Sequence, residues 1–135
     1  MERIERTALR NLIHNEEYSR KVLPFIKEDY FSDRLERLLF KEIYKFITKF
    51  NALPTKEALS IEINDSKDIN EDEYKKVTDI IATLNPEKIN LEWLVETTEK
   101  FCKDRAIHNA ILSGIQIIDG KDKKHTPEYL PDLLS

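Results

Sequence analysis

The sequence predicts an all-α protein: a globular helical bundle followed by a long helical hairpin. Apolar residues recur at spacings of three and four along most of the 135 residues. Residue types that cap helices stand in front of these segments. The chain has only two glycines, Gly114 and Gly120, so it lacks the turn residues of tight β-hairpins. We expect the bundle over residues 1–88 and the hairpin over residues 89–135.

Five amphipathic segments predict the helices of the bundle. Asn15 is placed to end the first segment and to cap the second, and Thr55 to cap the fourth. A dense apolar patch at residues 25–31 is expected to fold back over the first helices. The predicted helices are residues 2–14, 16–23, 34–50, 54–63 and 70–84.

The third segment is predicted to be the central helix of the bundle. Asp33 and Glu36 have the spacing of a capping pair at its start, and Asn70 with Glu73 repeats that spacing before the fifth segment. One apolar stripe follows the central helix and is expected to face the core. It comprises Leu35, Leu38, Leu39, Ile43, Phe46, Ile47 and Phe50.

The last third of the chain predicts one unusually long helix. Asn90 can cap it, and neither Gly nor Pro interrupts it before Ser113; it can extend to Asp119, where Gly120 would end it. At 100° per residue, its apolar side chains spread over roughly 240° of the circumference, about twice the stripe of an ordinary surface helix. The additional apolar face requires a partner.

A second arm is predicted after a basic turn at residues 121–125. Thr126, Pro127 and Glu128 provide a cap, a first-turn proline and a first-turn acid. The sequence then ends at Ser135 shortly after two leucines, and we therefore expect a longer parent protein.

Subunit contacts are predicted on the long helix. Arg105 and Asn109 are neighbours on one face, and the small residues beside them allow another helix to approach closely. Packing of the two arms within one chain is an alternative, and the width of the apolar surface favours both. The predicted interface comprises Arg105, Ile107, Asn109, Ala110, Ile111, Gly114, Ile115 and Ile118.

A basic stripe runs along the central helix at steps of three and four. It is either a solvated face or a contact surface for a nucleic-acid backbone or an acidic partner. No aromatic residues interleave with it in this interpretation, so weak binding to single strands is expected. The stripe comprises Arg34, Arg37, Lys41, Lys45 and Lys49.

The composition of the chain argues against phosphate-binding, metal-binding and catalytic sites. The net charge of -4 disfavours a phosphate-binding surface as a whole, and two glycines exclude a phosphate-binding loop. Cys102 and three scattered histidines provide no ligand set for a metal. We assign no catalytic, cofactor-binding or metal-binding residues. The single cysteine and the absence of a membrane-length apolar run predict a cytoplasmic protein.

Several stretches, taken in order along nearly the whole chain, resemble one known family. Residues 12–18 read LIHNEEY, residues 21–25 read KVLPF, and residues 28–31 read EDYF. The most specific stretch reads WLVETTEKF at residues 93–101, followed by Arg105-Ala106 and Asn109-Ala110. This succession resembles the amino-terminal domain of DnaB-like hexameric replicative DNA helicases of T-even-type bacteriophages. Pro131-Asp132 resembles the entry to their interdomain linker.

The resemblance implies an assembly domain without catalysis of its own. In that family, hairpins of neighbouring subunits pair, and three pairs form a collar on a ring of six. The resemblance also implies a separate motor domain that uses ATP or GTP with Mg²⁺, and a ring that encircles single-stranded DNA. Primase and a helicase loader would be partners, in the host cell cytoplasm. The turn at residues 120–125 is shorter than the family pattern.

Two other interpretations remain. A free-standing helical DNA-binding regulator would need residues 54–63 as a recognition helix. Lys56 would favour phosphate there, whereas Glu57 and Glu62 would repel it. A small helical enzyme would need a catalytic constellation, and none is visible in the sequence.

Overall fold

The computed structural model describes residues 2–118, and every regular element in that range is helical. The described residues contain six α-helices, a single 3₁₀ turn at Glu28–Tyr30 and no strand. The predicted all-α fold is confirmed. The helices are α1 (Ile4–His14), α2 (Glu16–Val22), α3 (Arg34–Phe50), α4 (Lys56–Asn64), α5 (Glu71–Thr83) and α6 (Leu91–Ile118).

Side chains cap the helices where the sequence predicts caps. The Asn15 Oδ1 atom accepts a hydrogen bond from the Tyr18 amide at 3.0 Å, so this residue ends α1 and begins α2. Thr55 caps α4 in the same way. The predicted capping box at α5 is complete, because Asn70 accepts from the Glu73 amide and the Glu73 carboxylate accepts from the Asn70 amide.

The predicted capping pair at α3 is half right. Asp33 Oδ1 accepts from the amides of Leu35 and Glu36 at 2.8 and 3.1 Å. The Glu36 side chain does not return to the cap. Instead it is fully buried, where its Oε2 atom accepts from Arg3 at 2.8 Å and from Arg6 at 3.2 Å. Two charge-assisted bonds to α1 therefore replace the expected local bond.

The core forms around α1 and α3, which pack on each other. The first helix also packs on α2, and α3 packs on the 3₁₀ turn, α4 and α5. The predicted stripe of α3 is corrected at its end, because Phe50 is half exposed, whereas Phe40 is buried and stacks on Phe31. Fully buried aliphatic side chains include Leu9, Leu12, Leu39, Ile43, Leu59, Ile63, Leu84 and Leu94.

One buried chain of hydrogen bonds joins α2 to the first half of α6. The Tyr18 hydroxyl lies 2.8 Å from Thr98 Oγ1, and Thr98 Oγ1 donates to the carbonyl oxygen of Leu94 at 2.7 Å. Since Thr98 has one hydroxyl proton and gives it to that carbonyl, Tyr18 is the donor in the first bond. Tyr18 and Thr98 have no solvent exposure, so this bond forms inside the core.

Asn51 ends α3 with a left-handed backbone. Its φ of 52° and ψ of 38° place it in the αL region, where its amide donates to the Ile47 carbonyl at 2.8 Å. Asparagine tolerates this region better than most residues with a Cβ atom. The chain can therefore reverse after α3 without a glycine.

The chain divides into two compact units, and the division falls between Glu99 and Lys100 within α6. The helix is capped by Asn90, whose Oδ1 accepts from the Trp93 amide at 2.9 Å, as the sequence predicts. The predicted end at Gly120 and the second arm of the hairpin lie outside the described residues. The division into a bundle and a hairpin at residue 88 stays a prediction.

Candidate functional site

The second half of α6 exposes a broad aliphatic surface. Four of the predicted interface residues are among the most exposed large apolar side chains, and Leu112, which the predicted interface omits, joins them. Their exposed fractions range from 45% to 69%. A patch of this kind on a helix is typical of a surface that another element covers. The five residues are Ile107, Ile111, Leu112, Ile115 and Ile118.

The small and polar members of the predicted interface are less exposed to solvent than its isoleucines. Gly114 is buried, and Arg105, Asn109 and Ala110 are half buried. Arg105 and Asn109 each make an interaction within the chain, so a contact with a second subunit would not be the sole role of either side chain. The predicted interface therefore consists of exposed isoleucines and a less accessible edge of small and polar residues.

The arginines of the predicted basic stripe serve the bundle itself. Arg34 pairs with Glu73 of α5 and donates to the carbonyl oxygen of Asp68 at 2.8 Å. Arg37 donates to the carbonyl oxygens of Phe31 and Ser32. Arg37 thus holds the loop before α3, and Arg34 holds the loop between α4 and α5, so both guanidinium groups are already engaged.

The lysines of the stripe remain exposed on α3. Lys41 has no hydrogen-bond or ion-pair partner among residues 2–118, whereas Lys45 lies 3.5 Å from the Glu42 carboxylate. Lys49 lies over the Phe50 ring, 5.3 Å from its centroid. The expectation that no aromatic residue interleaves with the stripe is wrong, because half-exposed Tyr44 lies one helical turn from Lys41.

The buried carboxylate of Glu36 changes the electrostatics of the amino terminus. Burial opposes the charged form of Arg3, but the neighbouring Glu36 carboxylate outweighs it and raises the pKa of that guanidinium above its usual range. At Glu2, burial again opposes the charge, yet hydrogen bonds from Arg10 and Thr7 hold the pKa of the carboxyl below its usual range. These contacts stabilise the fold and form no reaction centre.

The remaining reactive residue types do not cluster in the part of the chain that the structure describes. No group of three or more potential metal ligands occurs among residues 2–118. Cys102 is buried, and His14 Nε2 lies 2.7 Å from the Leu84 carbonyl oxygen. No helix in this range is both long and apolar enough to span a membrane.

Residues 2–118 therefore form a helical protein with two exposed surfaces suited to contacts, an aliphatic one on α6 and one with lysines on α3. No known family model matches the chain. The chain is similar, at 31% identity over 93% of its length, to the DnaB-like replicative helicase of Enterobacteria phage T4. The resemblance to these phage helicases that the sequence predicts is thereby confirmed. It spans 28% of the length of that protein.

Proposed function

We propose that this chain is the amino-terminal assembly domain of a DnaB-like phage replicative helicase. In this role, α6 pairs with α6 of a second subunit, and three such pairs form the collar of a hexameric ring. The exposed aliphatic surface of α6 carries the proposal, because five large apolar side chains at 45% or more exposure are costly to leave in water. A second copy is the partner that the relation to a replicative helicase favours.

The proposal separates assembly from catalysis. The chain matches 28% of its helicase relative, which leaves most of such a protein for a motor that binds ATP or GTP with Mg²⁺ and moves along single-stranded DNA. This domain would hydrolyse no nucleotide itself. It would also help to dock the primase and, as a further partner, a helicase loader, in the host cell cytoplasm.

Charge insertion into the aliphatic surface tests the self-association. Replacing Ile111 by glutamate would place an unpaired carboxylate in the contact and cost about 3 kcal/mol of association, roughly a hundredfold in the dissociation constant. Sedimentation velocity at micromolar concentration should show a dimer or larger species for the wild type and a monomer for Ile111→Glu. The circular dichroism spectra of both proteins should show the same helical content.

Ile61→Glu is the matched control. This isoleucine is 62% exposed on α4 and is not one of the residues proposed to form the contact, so the same change should leave the sedimentation coefficient unaltered. A wild-type chain that sediments as a monomer across the micromolar range contradicts pairing through α6.

The docking role has its own test, because calorimetric titration of the chain with the primase of the same phage should give a saturable signal.

A further inference from the structure

A cleft in the first unit is not used by the proposed pairing of α6. It has a volume of about 500 Å³ and lies between the segment that follows α2 and the middle of α3. Its apolar lining comes from Leu23, Pro24 and Ile26 on one side and from Phe40 and Tyr44 on the other. The cleft is large enough to accept one or two side chains of another protein.

An aromatic row supports the α3 side of the cleft, which Phe40 and Tyr44 line. The rings of Phe31 and Phe40 stack with centroids 5.1 Å apart, and the Tyr44 ring follows at 6.1 Å from Phe40. Phe31 and Phe40 are buried, whereas Tyr44 is half exposed at the surface end of the row. An aromatic ring that the core holds in place loses little conformational entropy when a partner covers it.

Two unpaired ammonium groups stand at the rim. Lys41 on α3 and Lys27 beside the 3₁₀ turn both line the cleft, and neither has a hydrogen-bond or ion-pair partner in the described range. The carboxylates of Glu28 and Asp29 line the side of the cleft that carries Lys27. The α3 side of the cleft is therefore basic, and the opposite side carries both signs of charge.

We propose that this cleft binds an acidic amphipathic segment of a partner protein. One apolar side chain of the segment would cover Tyr44 and Phe40, and its carboxylates would pair with Lys41 and Lys27. The proposal deepens the partner-docking part of the proposed function. It does not depend on α6, so the two can fail separately.

A single-stranded nucleic acid fits the cleft less well. Sequence-tolerant binding of a single strand needs several exposed aromatic rings on which successive bases stack, and the lining of the cleft offers only one, Tyr44. An apolar floor within a rim of mixed charge is the usual composition of a protein-binding surface. The observations therefore favour a peptide segment.

Fluorescence anisotropy with three labelled probes tests the proposal. The first probe is a synthetic helical peptide with one leucine face flanked by glutamates. The second is the same peptide with lysines in place of the glutamates, and the third is an oligothymidylate of about 15 nucleotides. The glutamate peptide should saturate the protein below about 1 mM, and the lysine peptide should bind at least about tenfold more weakly.

Variants of exposed residues identify the site. Lys41→Glu and Tyr44→Ala should each weaken binding of the glutamate peptide about tenfold, because they remove a rim charge and the ring that the leucine covers. Lys67→Glu is the matched control, since this exposed lysine lies outside the cleft and its change should leave binding unaltered. Circular dichroism establishes that each variant remains helical.

Three results would each overturn the proposal. They are equal binding of the glutamate and lysine peptides, binding that Lys41→Glu leaves intact, and no saturation by the glutamate peptide below about 1 mM. An oligothymidylate that binds more tightly than the peptide and displaces it would identify a nucleic-acid surface instead. Sedimentation of Ile111→Glu reports on α6 whichever result is obtained.

Discussion

Replacing Glu36 by glutamine should destabilise the bundle through the loss of one buried charge. The carboxylate has no solvent exposure, and its Oε2 atom receives hydrogen bonds from Arg3 and Arg6. A hydrogen bond to a charged group contributes about 1 kcal/mol more than a bond between neutral groups, so two such bonds give about 2 kcal/mol. The Arg3 side chain is 51% exposed and the Arg6 side chain 25%, so solvent reduces the Arg3 contribution more.

The second carboxylate oxygen adds to this cost. Glu36 Oε1 is buried and has no hydrogen-bond partner among the described residues. In Glu36→Gln the amide nitrogen would occupy that position as an unsatisfied donor, which offsets the easier burial of a neutral side chain. We expect a net loss of about 2 kcal/mol, or a fall in Tm of about 6–8 °C for a domain of this size.

Urea denaturation followed by circular dichroism at pH 7 and fixed protein concentration measures the loss. Glu36→Met should lose less stability than Glu36→Gln, because it leaves no unsatisfied amide and the partly exposed arginines can regain water. Glu57→Gln removes the same charge from an exposed position on α4 and should change stability by less than about 0.5 kcal/mol. The reasoning is refuted if Glu36→Gln unfolds like Glu57→Gln.

Three further predictions concern the core, the pH response and the chemistry of the chain. Thr98→Val, which removes the acceptor of the Tyr18 hydroxyl, should cost about 1–2 kcal/mol in urea denaturation, whereas Thr98→Ser should cost less. The lowered pKa of Glu2 contributes stability that is present above its ordinary range and lost as the pH falls through the folded-state pKa. Glu2→Gln should therefore flatten the acid side of the stability profile by less than about 1 kcal/mol, measured as Tm against pH. The purified chain should release no phosphate from ATP or GTP in a steady-state assay, and turnover that survives further purification would contradict its assignment as an assembly domain.

The helix ends were predictable because the interactions that form them are local. Asn15, Thr55 and Asn90 each accept a hydrogen bond from an amide three residues later, so the necessary information lies within one turn of sequence. The capping box of Asn70 and Glu73 follows the same logic. These short-range bonds fix the order and bounds of the helices before any tertiary contact is considered.

The role of Glu36 was not predictable, because its partner lies far away in sequence. Arg3 is 33 residues from Glu36, and nothing in the local pattern distinguishes Glu36 from the carboxylate of a capping pair. Only the packing of α1 on α3 brings the charges together. A buried ion pair therefore took the place of an expected local bond.

The spacing of apolar and basic residues also fails to predict some side-chain environments on α3. Phe50 continues the apolar spacing, but α3 ends at that residue, so the ring packs on Phe46, with centroids 4.7 Å apart, and remains half exposed. The spacing of the basic residues does not include Tyr44, so the pattern of the stripe does not predict an aromatic ring beside it. On a helix Tyr44 is nevertheless a neighbour of Lys41, three residues earlier.

The asparagines at helix ends imply an unequal sensitivity to chemical ageing. Slow loss of the side-chain amide converts asparagine to aspartate, which caps a helix start as well as asparagine does and adds a charge that the amino-terminal dipole favours. Asn70 and Asn90 only begin helices, so their conversion should have little effect, whereas Asn15 begins α2 and also ends α1, where the two dipole effects oppose each other. Asn51 ends α3, where a new negative charge opposes the carboxyl-terminal dipole by up to about 1 kcal/mol. Conversion of Asn51 should therefore lower the stability of the protein more than conversion of Asn70 or Asn90.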